Sequence, residues 1–180
     1  MIIFLGVAGS GKSTQCRLLS KTLDYNYISV GELLRKSSDK LINEKINAGD
    51  MLGDDVVISA VEDAITNIPI GREFIIDGFP RTLGQAKWIA SKQNVGLIRV
   101  VNIKISLPEI VRRLKLRARS DDNNEAINRR INEYSSSINS ILEEFISNNI
   151  DVFSIDGSLN IEEVHEQIKS YIIGNKKVEG

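Results

Sequence analysis

A glycine-rich segment near the start of the chain has the residue types and spacing of a phosphate-binding loop. Residues 6–14 read GVAGSGKST, a full match to G-x-x-x-x-G-K-[ST]. Its glycines let the backbone approach phosphate oxygens, and the N–H groups at the start of the following helix face the anion. Lys12 would place a positive charge near the β- and γ-phosphates, and the Ser13 hydroxyl would bind Mg²⁺. The motif predicts a nucleoside triphosphate ligand. The loop residues predicted to contact it are Gly9, Ser10, Gly11, Lys12, Ser13 and Thr14.

The other motifs of a switch GTPase do not accompany this loop. Such enzymes need Asn-Lys-x-Asp to recognise guanine, and residues 175–178 read NKKV, without the aspartate. Residues 50–53 read DMLG, which has the D-x-x-G spacing of a switch loop. They fall in a region predicted to be helical rather than after a strand, so a GTPase is disfavoured.

A second segment with chemical potential, residues 77–82, reads DGFPRT and precedes a predicted helix that carries Gln85 in its first turn. Asp77, at a strand end beside the phosphate loop, can hold Mg²⁺ directly or through water. Arg81 offers a planar guanidinium fork suited to phosphate oxygens, and Arg35 is a second candidate fork. On position alone, the phosphate-binding interpretation of Arg81 is favoured over a solvated residue at a helix start, whereas Arg35 is more often an ordinary helix residue.

These segments follow the strands of a predicted parallel sheet. The apolar runs 2–5, 27–30, 74–76, 98–105 and 152–155 are rich in Ile and Val, as in strands buried on both faces. Between them, helices are predicted near 12–23, 31–47, 54–67, 82–92, 108–117, 123–148 and 160–173. This alternation predicts a doubly wound α/β fold, in which ligands bind at the carboxyl ends of the strands.

Composition excludes several classes of protein. The chain has 180 residues, enough for about one domain, with 42% hydrophobic and 26% charged residues. Its net charge of −1 gives no reason to expect a nucleic-acid partner. The single cysteine, Cys16, cannot form a disulfide framework or a cysteine-based zinc site within one chain. No apolar run approaches the roughly 18 residues of a membrane span, and residues 1–5 fit a buried strand better than a signal peptide. We therefore expect a cytoplasmic enzyme.

Four segments together, residues 6–15, 28–35, 77–86 and 113–134, resemble adenylate kinases and their nucleoside monophosphate kinase relatives. The most specific of them is the string Asp-Gly-Phe-Pro-Arg-Thr-x-x-Gln, and the resemblance extends over roughly residues 1–173. It implies a P-loop NTPase fold, α/β, with three α/β/α layers, a five-stranded parallel sheet, a helical monophosphate-binding insert and a short lid.

The resemblance also implies how the chain is divided. A single domain would cover residues 1–173, followed by a tail at 174–180. Its core would comprise residues 1–29, 61–112 and 131–173, with the monophosphate-binding part at about 30–60 and the lid at about 117–125.

On the acceptor side, the resemblance implies that Arg35 and Arg81 grip the phosphate of AMP and that Gln85 pairs with the adenine edge. The full set of implied AMP-binding residues is Val30, Arg35, Asp50, Met51, Leu52, Gly78, Phe79, Pro80, Arg81 and Gln85. By the same resemblance, Thr82 and Gln85 favour AMP, because the pyrimidine-specific relatives carry Asn in place of Thr82 and lack this glutamine. Val30, however, stands where the family usually has threonine and cannot form a hydrogen bond, which leaves strict AMP selectivity open.

Six arginines lie within residues 112–130, among acidic residues that weaken attraction to a polyanion. The resemblance implies that Arg113 stacks on the ATP adenine and that Arg117, Arg119 and Arg130 clamp the phosphates. Asp121 and Asp122 would support these arginines as part of the lid, and Leu159 would lie near the ATP base. Arg112 and Arg129 are expected at the surface. The lid is shorter than in short-lid relatives, so the matching of Arg117 and Arg119 depends on where the gap is placed.

The motifs together with the resemblance imply Mg-dependent phosphoryl transfer from ATP to AMP, giving two ADP, in a monomer with no structural zinc and no nucleic-acid or membrane partner. The predicted catalytic residues are Lys12, Arg81, Arg117, Arg119 and Arg130, and Ser13 and Asp77 are the predicted Mg²⁺ ligands. Cys16 and His165 are interpreted as structural. Two alternatives remain: a broader or UMP/CMP-preferring monophosphate kinase, and a nucleotide-binding regulatory protein with little transfer activity.

Overall fold

A computed structural model describes residues 1–48, 52–92, 96–117 and 124–174 of the chain. The strands are β1 (Ile2–Leu5), β2 (Asn26–Ser29), β3 (Phe74–Asp77), β4 (Arg99–Lys104) and β5 (Asp151–Asp156). The helices are α1 (Lys12–Leu23), α2 (Val30–Arg35), α3 (Lys40–Ala48), α4 (Asp54–Thr66), α5 (Leu83–Ala90), α6 (Leu107–Arg117), α7 (Asn124–Ser147) and α8 (Ile161–Gly174).

The five strands form one parallel sheet in the order β2-β3-β1-β4-β5. The doubly wound α/β prediction is therefore confirmed. Ile2 of the central strand pairs with Ile75 on one side and Arg99 on the other, and Ser29 pairs with Asp77. This register brings the carboxyl ends of β1, β2 and β3 to one edge of the sheet, where ligands bind in such folds.

Alternate residues of β1 point into two separate cores. Ile3 and Leu5 pack in one core, together with residues of α2, α4, α5 and α7. Ile2 and Phe4 pack in the other core, together with residues of α1 and α8. All four side chains are at most 3% exposed. Because successive strand residues point to opposite faces, this arrangement is a three-layer α/β/α sandwich.

A smaller apolar cluster supports the phosphate-binding loop. Val7 of the loop packs with Ile110 and Leu114 of α6 and with Ile131 of α7. Gly9 lies against the same helix, since a Cβ atom at this position would come within 3.0 Å of the Leu114 side chain. The loop is therefore held between the end of β1 and the helices that precede and follow the predicted lid.

The single helix predicted for residues 31–47 is wrong, because the chain forms α2 and α3 instead. The physical reason is a cap between them. The carboxylate of Asp39 accepts hydrogen bonds from the backbone N–H of Leu41 at 2.8 Å and of Ile42 at 3.5 Å, as an N-cap residue does. The Ser37 hydroxyl accepts another from the N–H of Asp39 at 3.1 Å.

Smaller differences concern element ends. Val30, predicted as the last residue of a strand, is the first residue of α2. Leu52 and Gly53 form the link into α4, which begins at Asp54 as predicted. Residues 175–180 of the predicted tail lie outside the described residues.

No helix in the described parts of the chain combines the length and apolar character needed to cross a membrane.

Candidate active site

A cavity of about 1020 Å³ opens at the carboxyl ends of the strands. It is lined by residues predicted for both nucleotides. The triphosphate-side residues in its wall are Gly9, Ser10, Gly11, Lys12, Ser13, Thr14, Arg113 and Leu159. The acceptor-side residues in its wall are Val30, Arg35, Leu52, Gly78, Phe79, Pro80, Arg81 and Gln85. Asp77 also lines it. Segments from the first to the last quarter of the chain thus face one shared space.

Two glycines give the phosphate loop its path. Gly6 has a φ of 147°, and a Cβ atom there would lie 2.8 Å from the carbonyl oxygen of Ile103. Gly11 precedes α1 with a left-handed φ of 99°. Only glycine adopts these conformations without strain, so the loop turns tightly and delivers the N-terminus of α1 to the cavity.

The side chain of Lys12 is held by carbonyl groups of the phosphate loop. The ammonium group of Lys12 donates hydrogen bonds to the carbonyl oxygens of Gly6 and, at 2.8 Å, of Val7. Ser10 is 1% exposed, and its hydroxyl oxygen has no hydrogen-bond partner among the described residues. A positive charge and an unpaired hydroxyl beside backbone N–H groups form an environment suited to an anion.

Ser13 and Asp77, the predicted metal ligands, are in direct contact. The Ser13 hydroxyl donates to Oδ2 of Asp77 at 2.5 Å, and the phenol of Tyr27 donates to the same oxygen at 3.0 Å. Burial and the nearby Asp77 carboxylate raise the pKa of Tyr27, which keeps its phenol protonated as a donor. Nothing in the sequence indicated Tyr27, because its position in an apolar strand gave no sign that its hydroxyl reaches the strand end.

This donor set fits Mg²⁺. Among the described residues, no group of three or more His, Cys, Asp or Glu side chains could hold a metal ion. Mg²⁺, however, is commonly held by one or two protein oxygens together with substrate phosphates and water. A hydroxyl and a buried carboxylate beside the phosphate loop provide such oxygens.

Two arginines frame the acceptor side of the cavity. Arg81 is exposed, and its Nε donates to the carbonyl oxygen of Gly78 at 3.0 Å. Arg35 ends α2 and folds back so closely that a Cβ at Gly31 would lie 3.3 Å from its guanidinium. Both line the cavity. Val30 also lines the cavity, but it is 1% exposed and packs in the apolar core.

Gln85 belongs to a hydrogen-bonded cluster at the start of α5. Its Nε2 donates to Asp54 at 2.8 Å, and its Oε1 accepts from the backbone N–H of Arg81 at 2.8 Å. The Thr82 hydroxyl donates to both carboxylate oxygens of Asp54, at 2.9 and 2.8 Å, and accepts from the backbone N–H of Gln85. Nothing in the sequence indicated this role of Asp54, whose position predicted only a helix start.

On the triphosphate side, Arg113 and Arg112 share one carboxylate. Glu109 accepts from Arg113 Nε at 2.7 Å and from two nitrogens of Arg112 at 2.6 Å. The hydrogen bonds from Arg112, and to a smaller extent the one from Arg113, lower the pKa of Glu109 to about 2. Arg113 and Arg112 both line the cavity, with side chains 27% and 60% exposed, so Arg112 is exposed as expected but also faces this space.

Several predicted residues lie outside the described residues. They are Asp50, Met51, Arg119, Asp121 and Asp122. Arg117 is the last residue of α6, and Arg130 is in the first half of α7, but their side chains lie outside the described part of the structure. The predicted lid clamp therefore stays a prediction.

Cys16 and His165, interpreted from the sequence as structural, do not line this cavity. Cys16 is fully buried in the core between the sheet and α1 and α8, and burial raises the pKa of its thiol. His165 is on α8, where its Nε2 lies 3.1 Å from the hydroxyl of Thr22.

Comparison with known proteins connects this geometry to a family. A family model described as "Adenylate kinase" matches residues 4–150. The chain belongs to the adenylate kinase family. Proteins named "Adenylate kinase" from Azobacteroides pseudotrichonymphae genomovar. CFP2 and from Prochlorococcus marinus strain NATL2A are 34% and 33% identical to it, over 176 and 177 residues. The first alignment covers 91% of this chain and 92% of the relative, and the second covers 93% and 96%.

A third relative agrees with this assignment. The "Adenylate kinase" of Prochlorococcus marinus strain AS9601 is 35% identical over 153 residues, 80% of this chain and 83% of the relative. Membership of the adenylate kinase family makes the chain a nucleotide-binding phosphotransferase with the P-loop NTPase fold.

Proposed function

We propose that this protein catalyses the reversible reaction Mg·ATP + AMP ⇌ 2 ADP. The observation that carries this proposal is the shared cavity, in which Ser13 of the phosphate loop contacts Asp77, the residue that begins the acceptor segment. A triphosphate on the loop and a monophosphate at Arg81 would both lie against this contact. Such an arrangement suits direct transfer between two bound nucleotides.

The protein's part in this reaction is to position charges. Lys12 neutralises negative charge on the transferring phosphoryl group, and Arg81 and Arg35 orient the phosphate of the acceptor. Ser13 and Asp77 would hold the metal, which supplies charge neutralisation on the triphosphate when it is bound. We propose that Arg117, Arg119 and Arg130 complete the clamp, with Asp121 and Asp122 supporting it. No residue acts as a nucleophile; holding two reactants in line supplies the rate advantage.

Two different sets of residues in the cavity wall would recognise the two bases. We propose that Gln85 pairs with the adenine of AMP and that Leu52, with Asp50 and Met51, packs against this base. Arg113 and Leu159 would contact the adenine of ATP. The support is that Gln85, Leu52, Arg113 and Leu159 all line the cavity. A pocket amide rejects the wrong base because its own polar groups would be left unpaired.

One observation favours a broader acceptor range as a second candidate. Val30 offers only an apolar surface to the cavity, so no hydrogen bond from this side chain helps to select adenine. A regulatory protein that only binds ATP is disfavoured, since two arginines on the acceptor side serve no purpose in binding ATP alone. A cytoplasmic monomer that takes neither nucleic acid nor membrane as a partner is the expectation from the sequence, and gel filtration tests its monomeric state.

The deciding experiment is a coupled assay of ADP production. Mg·ATP is supplied with AMP, dAMP, CMP, UMP or GMP, and a reaction without acceptor measures wasteful ATP hydrolysis. We expect a strong preference for AMP. Comparable rates with CMP or UMP would favour the broader kinase. A rate no higher than the acceptor-free control, in protein shown to bind ATP, would overturn the kinase proposal.

A further inference from the structure

The amide of Gln85 is held between one group that can only accept a hydrogen bond and one that can only donate. Its nitrogen side faces the carboxylate of Asp54, and its oxygen side faces the backbone N–H of Arg81, both at 2.8 Å. A carboxylate without a proton has no donor, and a backbone N–H has no acceptor. The two partners therefore permit only one orientation of the amide.

Rotating the amide by 180° would exchange its oxygen and nitrogen. The oxygen would then face the Asp54 carboxylate, and the NH₂ group would face the N–H of Arg81. Gln85 is 1% exposed, so its rotated amide could not turn to water instead, although the partly buried carboxylate of Asp54 does meet solvent. An unpaired or repelled polar group in such a place is costly, and the carboxylate thus blocks the rotation.

Asp54 acts on Gln85 from behind the cavity wall. Gln85 lines the cavity, whereas Asp54 is not among the described residues that line it. Asp54 is itself oriented, because the Thr82 hydroxyl donates to both of its carboxylate oxygens. The carboxylate comes from the first turn of α4 and the amide from the first turn of α5, so the packing of these two helices sets the orientation.

The orientation of an amide decides which purine edge it can match. A 6-amino purine presents an N–H donor at position 6 and an acceptor at N1, which suits an amide oxygen beside an amide N–H. A 6-keto purine presents an acceptor at position 6 and a donor at N1, and it needs the amide turned around. A glutamine that is free to turn matches both purines, whereas one held in place matches only one.

We propose that Asp54 is a positioning residue that makes the acceptor site selective for 6-amino over 6-keto purine monophosphates. This inference rests on the proposed function, in which Gln85 contacts the acceptor base. Asp54 does not touch the nucleotide; it fixes the amide that does. Selectivity at this position therefore depends on a side chain outside the binding pocket.

The test replaces Asp54 with asparagine, whose amide can either donate or accept. Rates are measured with AMP and with IMP, which differ at the 6-position and in the proton on N1. We expect kcat/KM for AMP relative to IMP to fall about 10-fold or more in Asp54→Asn. Asp55→Asn is the matched control, because Asp55 is an exposed acid in the same first turn of α4 and is not part of this cluster. The kcat/KM ratio of AMP to IMP in Asp55→Asn should equal that of the wild type.

A second variant moves the carboxylate without removing it. A Cβ atom on Gly84 would lie 2.5 Å from Oδ2 of Asp54, so Gly84→Ala forces the carboxylate to shift. Alanine favours helix formation, and the shifting atom is the end of a flexible side chain, so the fold should persist. We expect the same fall in the ratio as in Asp54→Asn, in the same direction. Gly174→Ala, at a helix end with no atom within 4 Å, is its control.

The outcomes separate the two proposals. Wild-type protein with no AMP-dependent turnover would overturn the proposed function itself. Wild-type protein that prefers AMP, with Asp54→Asn and Gly84→Ala both folded and unchanged in their AMP-to-IMP ratio, would overturn only the role of Asp54. A merely structural role would lower both rates together and leave the ratio unchanged, which also counts against the proposal.

Discussion

The phenol of Tyr27 donates a hydrogen bond to Oδ2 of Asp77 at 3.0 Å, across two neighbouring strands of the sheet. The same carboxylate oxygen accepts from Ser13 of the phosphate loop at 2.5 Å. Asp77 is 5% exposed, so these two donors rather than water determine how its carboxylate is oriented. Tyr27 is thus a positioning residue for the proposed metal ligand.

Removing the Tyr27 hydroxyl should leave the Asp77 carboxylate less firmly oriented. In Tyr27→Phe, we expect the Mg²⁺ concentration for half-maximal rate to rise several-fold, because Asp77 keeps one of its two donors. We also expect the free energy of unfolding to fall by about 1 kcal/mol, a typical value for one hydrogen bond. Mg²⁺ titration of the rate and urea denaturation in the absence of nucleotide measure the two effects separately.

Tyr171→Phe is a matched control for Tyr27→Phe. Tyr171 also donates to an aspartate, Asp151, at 2.7 Å, but this pair is at the surface and away from the cavity. The control should leave the Mg²⁺ requirement unchanged. An identical Mg²⁺ requirement in Tyr27→Phe and wild type would contradict the positioning role.

The Lys12→Met variant tests the role of the positive charge that Lys12 carries in the phosphate loop. We expect turnover to fall by about 100-fold or more, since charge stabilisation of the transferring group is lost, while the circular dichroism spectrum and the cooperative melting transition persist. The control is Lys21→Met, which removes an exposed lysine from the last turn of the same helix. Near-normal turnover in Lys12→Met would refute the proposed role.

Arg81→Ala and Arg81→Lys test the grip on the acceptor phosphate. We expect both variants to raise KM for AMP by about 10-fold or more, with a smaller change in KM for ATP. Lysine keeps the charge but lacks the planar fork, so it should rescue only part of the loss. Arg72→Ala, which removes an exposed arginine ion-paired with Asp24, is the control. AMP kinetics unaffected by either substitution at Arg81 would exclude this assignment.

His165 should make stability depend on pH. Burial lowers its pKa below the ordinary 6.5, and its buried Nδ1 has no hydrogen-bond partner among the described residues. Nearby Glu166 opposes this shift and Lys169 adds to it. Because the unfolded chain binds the proton more readily, stability is fully present above about pH 6.5 and falls as the pH drops towards the folded pKa.

Urea denaturation of wild type and His165→Asn between pH 7.5 and 5.5 measures this dependence. We expect the wild type to lose more stability than the variant over this interval. His165 is the one histidine of the chain, so its imidazole signal can be titrated by NMR without ambiguity. An imidazole pKa above 6.5 in the folded protein would contradict the prediction.

Local patterns in the sequence were sufficient to predict the layers of the fold and most of the cavity wall. Apolar runs and the glycine-rich loop are local signals, and the carboxyl ends of parallel strands meet at one edge whatever the side chains are. The break between α2 and α3 also had a local signal, the Ser37-Ser38-Asp39 segment, which was overlooked because hydrophobic periodicity continued on both sides.

Tyr27 and Asp54 could not be found in this way. Each acts through one hydrogen bond or a small cluster that joins elements separated by 28 to 50 residues in the chain. Whether a tyrosine hydroxyl reaches a neighbouring strand end, or an acid in the first turn of one helix reaches the next helix, depends on tertiary packing. Periodicity and spacing carry no information about either.

The contact between Ser13 and Asp77 also has a thermodynamic consequence. Asp77 faces the triphosphate loop and is followed directly by Gly78, which begins the acceptor wall. A nucleotide that moves the Asp77 carboxylate when it binds at one site therefore changes the geometry of the site for the other nucleotide. Linkage requires the effect to be reciprocal: the factor by which the donor alters the affinity for the acceptor equals the factor by which the acceptor alters the affinity for the donor.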